Sequence, residues 1–99
     1  MARFDVFPNP GGSGYLLDVQ ADLLDGLNTR IVVPLLPTAS APKPARRLNP
    51  IVEINAIPHV MVTQFVAAVP IAILRNPVTS LANQDVAIGN ALDMVLVGF

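Results

Sequence analysis

Ten prolines in 99 residues decide most of what this chain can become. A proline has no backbone N–H and a fixed φ, so it breaks any long helix that it interrupts. The ten are spread from Pro8 to Pro77 and leave few windows where a helix can run. Between them the apolar runs are short and rich in β-branched residues, as strands favour. Phe4 and Val6 alternate with Arg3, Asp5 and Phe7, which predicts a first strand. Pro8-Asn9-Pro10-Gly11-Gly12-Ser13-Gly14 follows as a flexible turn, and Tyr15–Gln20 returns as a second strand with Tyr15, Leu17 and Val19 on one face. Arg30–Val33 opens a third, and Pro34 places it at a sheet edge or a bend. Pro37–Pro50 reads as a loop carrying Lys43, Arg46 and Arg47. Strands are expected over Ile51–Asn55, His59–Gln64 and Ile71–Leu74, with a turn at Ala56-Ile57-Pro58.

Toward the C-terminus the period changes. Leu81, Ile88, Leu92, Val95, Leu96 and Phe99 fall at helical spacings, with Ser80 or Asn83 as the expected cap and Asp85 in the first turn. Gly89 costs a helix up to about 1 kcal/mol relative to alanine, which predicts close packing there. Gly98 lets the helix break off. The expected fold is a single domain over residues 1–99, mainly β (β+α). It is a strongly bent antiparallel sheet of five to seven strands with one C-terminal helix.

Apolar residues make up 53% of the chain and charged residues 13%, which excludes a disordered chain. A domain this small leaves much of its surface exposed, so self-association is the simplest cover for the excess. Six Lys+Arg against seven Asp+Glu give a net charge of −1, and a primary nucleic-acid binder is disfavoured. Without cysteine there is no disulfide and no Cys-based zinc site. The most apolar stretch, Val60–Leu74, carries Thr63, Gln64 and Pro70 and is too short to span a membrane. Asp5, Pro8 and Pro10 interrupt any signal-peptide core, so the cytoplasm is the expected location.

No catalytic group stands out. His59 is the one histidine, and none of Ser13, Ser40 and Ser80 lies in a nucleophile elbow. His59 is expected at a strand start beside Pro58, and with Glu53 the only glutamate a metal site is not expected. Gly11-Gly12-Ser13-Gly14 is followed by Tyr15-Leu16-Leu17, a strand, where a phosphate loop needs a lysine and a helix. Asp18, Asp22 and Asp25 lack the spacing of a calcium loop. No cofactor is implied. The unexplained feature is Val95-Leu96-Val97-Gly98-Phe99, an apolar ending where termini are usually polar: either a helix end packed on its own barrel, or one that meets a partner with Phe99 as anchor.

Asp18-Val19-Gln20-Ala21-Asp22-Leu23-Leu24-Asp25, followed by Thr29-Arg30-Ile31-Val32-Val33-Pro34-Leu35, resembles the CcdB toxin family. So do Ala68-Val69-Pro70 and the ending Asn90-Ala91-Leu92 through Gly98-Phe99. The resemblance implies an SH3-like barrel with a C-terminal helix, forming a homodimer. It implies a toxin that binds the A subunit of DNA gyrase and traps the enzyme on cleaved DNA. A CcdA-like antitoxin would neutralise it, and operator DNA would be bound only through the toxin–antitoxin complex. Carried over by position, the gyrase face comprises Arg3, Phe4, Phe7, Ala21, Leu23, Asp93, Val97, Gly98 and Phe99. The plasmid-type ending is Trp-Gly-Ile where this chain has Val97-Gly98-Phe99, and Asp93 stands where that pattern has asparagine. Loose analogy adds Pro8, Asn9, Pro10, Gly11, Gly12, Ser13, Gly14, Lys43, Arg46 and Arg47 as antitoxin contacts.

Two rival readings share the fold. An endoribonuclease toxin of the MazF/PemK kind needs a cationic groove and an acid–base pair, for which only Arg30 with Thr29 or His59 are candidates. A non-toxic binding module is the other, and the altered tail keeps it open.

Overall fold

The computed structural model describes residues 1–98, arranged around one long strand. β3 (Thr29–Pro37) pairs with β2 (Tyr15–Asp18) along one edge, and with β6 (Ala67–Pro70) and then β5 (Ile57–Met61) along the other. β1 (Asp5–Pro8) lies beside β2, β7 (Thr79–Ser80) beside β1, and β4 (Ile51–Ile54) beside β5. Every pairing is antiparallel, and the path β4-β5-β3-β2-β1-β7 bends into a nearly closed, SH3-like barrel. One helix, α1 (Asp85–Leu96), follows. Among the described residues no helix is long and apolar enough to cross a membrane.

The prolines sit where a missing N–H costs little. Pro8, Pro37 and Pro70 end their strands. Pro34 lies inside β3, which is paired on both sides, and this corrects the expectation of a sheet edge. There the neighbour changes from β6 to β5, and the Pro34 carbonyl still accepts the Val62 N–H at 2.9 Å. The turn expected at Ala56–Pro58 falls instead on Asn55 and Ala56, both at positive φ (53° and 64°), with Ile54 facing Ile57 across it. That is the two-residue geometry matching the twist of a hairpin.

Ile71–Leu74 is not a strand. The strand precedes it as β6, and Ile71–Ile73 is a 3-10 turn after Pro70, pinned by the Ile71 N–H on the Asn28 carbonyl at 2.8 Å. Its second half still turns inward: Leu74 is buried and Ile73 half-buried against Phe7, Leu16 and Val32 in a small second core, while Ile71 and Ala72 are exposed. A short apolar run reads alike in either geometry. The main core holds Val6, Leu17, Val33, Leu35, Ile54 and Met61, with Ile88 and Ala91 from the helix. Tyr15, Leu17 and Val19 share that side of the sheet, as their alternation predicts.

At the helix start neither expected cap serves. Gln84 is the N-cap residue and gives no side-chain bond; Ser80 Oγ accepts the Ala82 N–H at 3.2 Å just ahead of the 3-10 turn Ala82–Gln84, whose own N-cap residue is Leu81. Asp85 does stand in the first turn. Nothing lies within 4 Å of the position a Cβ would take at Gly89, so close packing does not explain that glycine. At the other end Gly98 (φ +93°) turns its N–H back onto the Asp93 and Met94 carbonyls, each at 3.1 Å, the hydrogen-bonded ending that a left-handed glycine permits. Phe99 lies outside the described residues.

The turn between β1 and β2 is less loose than its glycines suggest. Gly14 has φ +86°, and a Cβ there would stand 2.3 Å from the Leu35 carbonyl oxygen, whereas nothing approaches Gly12. Gly14→Ala is expected to cost about 1–3 kcal/mol, and Gly12→Ala no more than about 0.5 kcal/mol. Urea midpoints of the two variants check the contrast; equal midpoints would contradict it.

Candidate functional site

Where the chain leaves β2, the segment Asp18–Leu24 is held by its own side chains. Asp18 Oδ2 accepts from Arg30 Nε at 2.9 Å and Nη2 at 2.5 Å, and both residues are fully buried. Asp18 Oδ1 takes the Gln20 N–H at 3.0 Å. Burial pushes the Asp18 carboxyl above its ordinary pKa of 3.8, while the Arg30 hydrogen bond and charge pull against it. Among the described residues Arg30 Nη1 has no partner.

Gln20 then does what backbone would do in a longer strand. Its Oε1 accepts the Ile31 N–H at 3.1 Å, and its Nε2 donates to the Leu24 carbonyl at 2.9 Å. The Ile31 carbonyl accepts from Val19 N–H at 3.0 Å. The 3-10 turn Asp22–Leu24 is thereby tied to β3, and the N-terminus is tied to that turn. Arg3 N–H donates to Asp22 Oδ1 at 2.8 Å, Arg3 Nε to the Val19 carbonyl at 3.2 Å, and Phe4 N–H to the Asp18 carbonyl at 2.6 Å. The Arg3 guanidinium lies over the Phe4 ring, 4.5 Å from its centre.

These ties shape an open, largely apolar groove of about 610 Å³, bordered by Arg3, Ala21 and Leu24 on one side and by Leu92, Asp93 and Leu96 of α1 on the other. Ile31 of β3 and Ala67 and Ala68 at the start of β6 also line it. The outward aspect of Ile31 follows from Arg30: with the arginine turned in to Asp18, alternation turns its neighbour out, opposite Ala68.

Of the positions read from the sequence, Arg3, Ala21 and Asp93 come together here. Leu23 is 92% exposed beside them, and Val97 and Gly98 are exposed just past the helix. Phe4 and Phe7 do not present their rings to solvent, since Phe4 packs in the main core and Phe7 in the second core. Neither the turn from Pro8 to Gly14 nor Lys43, Arg46 and Arg47 lines the groove. The basic loop is nonetheless fastened at its end, since Asn49 Nδ2 donates to the Met61 carbonyl at 3.0 Å and to Gln64 Oε1 at 2.8 Å. Sequence reasoning missed Ile31, Ala67 and Ala68, because nothing in the sequence shows that Arg30 turns inward and Ile31 outward.

His59 is 4% exposed, with Nδ1 2.8 Å from the Ile57 carbonyl and its ring edge-on to Tyr15 at 5.3 Å, the packing of a core histidine. Among the described residues no group of His, Asp and Glu could hold a metal ion.

A family model described as "CcdB protein" matches residues 3–98. Two solved structures are similar in fold. The Mycobacterium tuberculosis toxin MazF-mt6 has a TM-score of 0.73 at 16% identity, over 92% of this chain and 94% of that one. An endoribonuclease in complex with its cognate antitoxin, from a mycobacterial species, has a TM-score of 0.76 at 14% identity, over 97% and 94%. At such identities the likeness is one of fold alone.

Proposed function

The chain belongs to the CcdB family, and from that premise we propose that it is the toxin of a toxin–antitoxin pair, binding the A subunit of DNA gyrase and trapping the enzyme on cleaved DNA. The observation that carries this reading is the groove: an apolar channel open to solvent, bordered by Arg3, Ala21 and Asp93 and adjoining the helix end. A poison that works by binding needs a docking surface and no catalytic group.

The toxin acts as a homodimer, with the helix ends around the twofold axis and Val95, Val97 and Phe99 near their symmetry mates. Exposed Phe65, Met94 and Val97, none of which lines the groove, supply apolar area for such contacts. Sedimentation at micromolar concentration should give a dimer, and a single species near 10.5 kDa would count against it. A CcdA-like antitoxin removes the toxin, with the turn from Pro8 to Gly14 and the exposed Lys43, Arg46 and Arg47 as contacts. Operator DNA is bound only through that complex.

The ribonuclease reading finds less support. Its candidate arginine, Arg30, is fully buried and paired with Asp18, and His59 is buried too. Neither is placed to meet RNA phosphates.

The test is a gyrase cleavage assay with the full-length protein and with a version lacking Val97, Gly98 and Phe99. Linearised DNA trapped by the first and not the second is expected. Val97 in place of a large ring forfeits on the order of 1–2 kcal/mol of contact, part of it returned by Phe99, so trapping should need more protein without being lost. Full-length protein that neither binds the gyrase subunit nor traps cleaved DNA would overturn the mechanism and favour a non-toxic module.

A further inference from the structure

The two ends of the strand path meet at an open seam. β4 and β7 end the order, and a mostly polar cleft of about 390 Å³ lies between them, lined by Ile51 and Glu53 of β4, Thr79 and Ser80 of β7, and the amides of Asn83 and Gln84. Both edges carry free hydrogen-bonding backbone. The Met61 N–H donates to the Pro50 carbonyl at 2.9 Å, and in that register Val52 and Ile54 turn their backbone groups toward β5. Ile51 and Glu53 therefore turn theirs outward. On the other side Leu81 N–H donates to the Phe4 carbonyl at 2.9 Å and Thr79 faces Val6, which leaves Ser80 turned outward.

We propose that this seam is a docking slot for one extended, lysine-bearing peptide segment of a partner protein, added to the barrel as a strand between β4 and β7. Unpaired N–H and C=O groups on both walls match an extended backbone, which can bond on both of its sides. The charge of the slot selects the occupant. Among the described residues Glu53 is its only ionisable lining residue, so a second copy pairing β4 against β4 would set glutamate near glutamate, whereas a basic segment meets it with opposite charge. Within the segment, residues facing Val52 and Leu81 are small and apolar, and lysines alternate with them on the solvent side.

The probe is a capped hexapeptide of sequence TVKVKT, titrated into the full chain and followed by amide NMR. Saturable shifts are expected at the Ile51, Glu53 and Ser80 amides, with their hydrogen exchange slowed at least tenfold. The same peptide N-methylated at alternate residues should not bind. Glu53→Pro removes an outward N–H at an edge that tolerates proline together with the carboxylate, and should weaken binding about five- to tenfold beyond Glu53→Gln, which removes the charge alone. Glu53→Lys should instead prefer the acidic peptide TVEVET. Three results would overturn the proposal. They are no shifts up to millimolar peptide, shifts without slowed exchange (a charge contact only), and slowed exchange at Ile51 and Ser80 without peptide in a sedimenting dimer that Glu53→Pro dissociates.

Discussion

Asp18→Asn is expected to destabilise the protein by about 3–5 kcal/mol, the usual cost of leaving one member of a buried ion pair without its partner. The asparagine keeps the oxygen that accepts the Gln20 N–H, so what is lost is the charge opposite Arg30. A buried guanidinium cannot shed its proton, and Arg30 already has one nitrogen unpartnered among the described residues. Arg30→Met should cost less, because the carboxyl left behind can neutralise itself by taking a proton. Its cost should also depend on pH. With its folded pKa raised above 3.8, Asp18 contributes stability fully below that value and loses it as the pH climbs through the folded pKa. The Arg30→Met protein should therefore lose stability as the pH is raised from 3.8. Asp18→Asn combined with Arg30→Met removes both charges and should return to within about 1–2 kcal/mol of the parent. Urea midpoints at constant slope measure all three. A double variant no better than Asp18→Asn alone would mean that the pair is not the source of the loss.

Ile31→Glu is expected to lower affinity for the gyrase A subunit by about two to three orders of magnitude, the effect of burying an uncompensated charge in an apolar contact. The folded chain should bear it well, since Ile31 is 38% exposed and its backbone bonds to Val19 and Gln20 do not use its side chain. Val86→Glu is the control, on a residue that is 71% exposed and outside the groove. Calorimetry with the isolated subunit reads binding, and a thermal melt reads the fold. Undiminished binding by Ile31→Glu would move the contact surface away from the groove.

The architecture is legible in the sequence as far as prolines, alternation and turn residues reach. Tyr15, Leu17 and Val19 show which residues share a side of the sheet, and the spacing from Ile88 to Leu96 shows the helix, whereas Phe4 lies ahead of β1 at positive φ (75°) and reaches the same core as Val6 from outside the pleat. What they do not show is phase where a charge is buried. In Thr29-Arg30-Ile31-Val32 the natural assignment sends the arginine to water and the isoleucine inside, and the structure inverts it, because Asp18 on the neighbouring strand supplies the partner. The groove follows from that inversion and so is hidden with it. Ile71–Leu74 misleads for a different reason: a second core accepts apolar residues from a 3-10 turn as readily as from a pleat. For the helix end, the resemblance supplied the positions and the structure supplied their setting in Arg3, Ala21 and Asp93.

The dependence of this groove on β3, β6 and the last turns of α1 has a consequence for when it exists. β3 is made early, but its edge is unfilled until β6 has been synthesised, and the far wall arrives only with Leu92 and Leu96. Long-range pairings form late in folding, because loop closure must come first. On the ribosome β3 emerges with its edge unpartnered, and the groove is assembled only once α1 has followed β6. A chain that stops short of α1 thus carries the motif residues of Asp18–Leu35 without the surface they build.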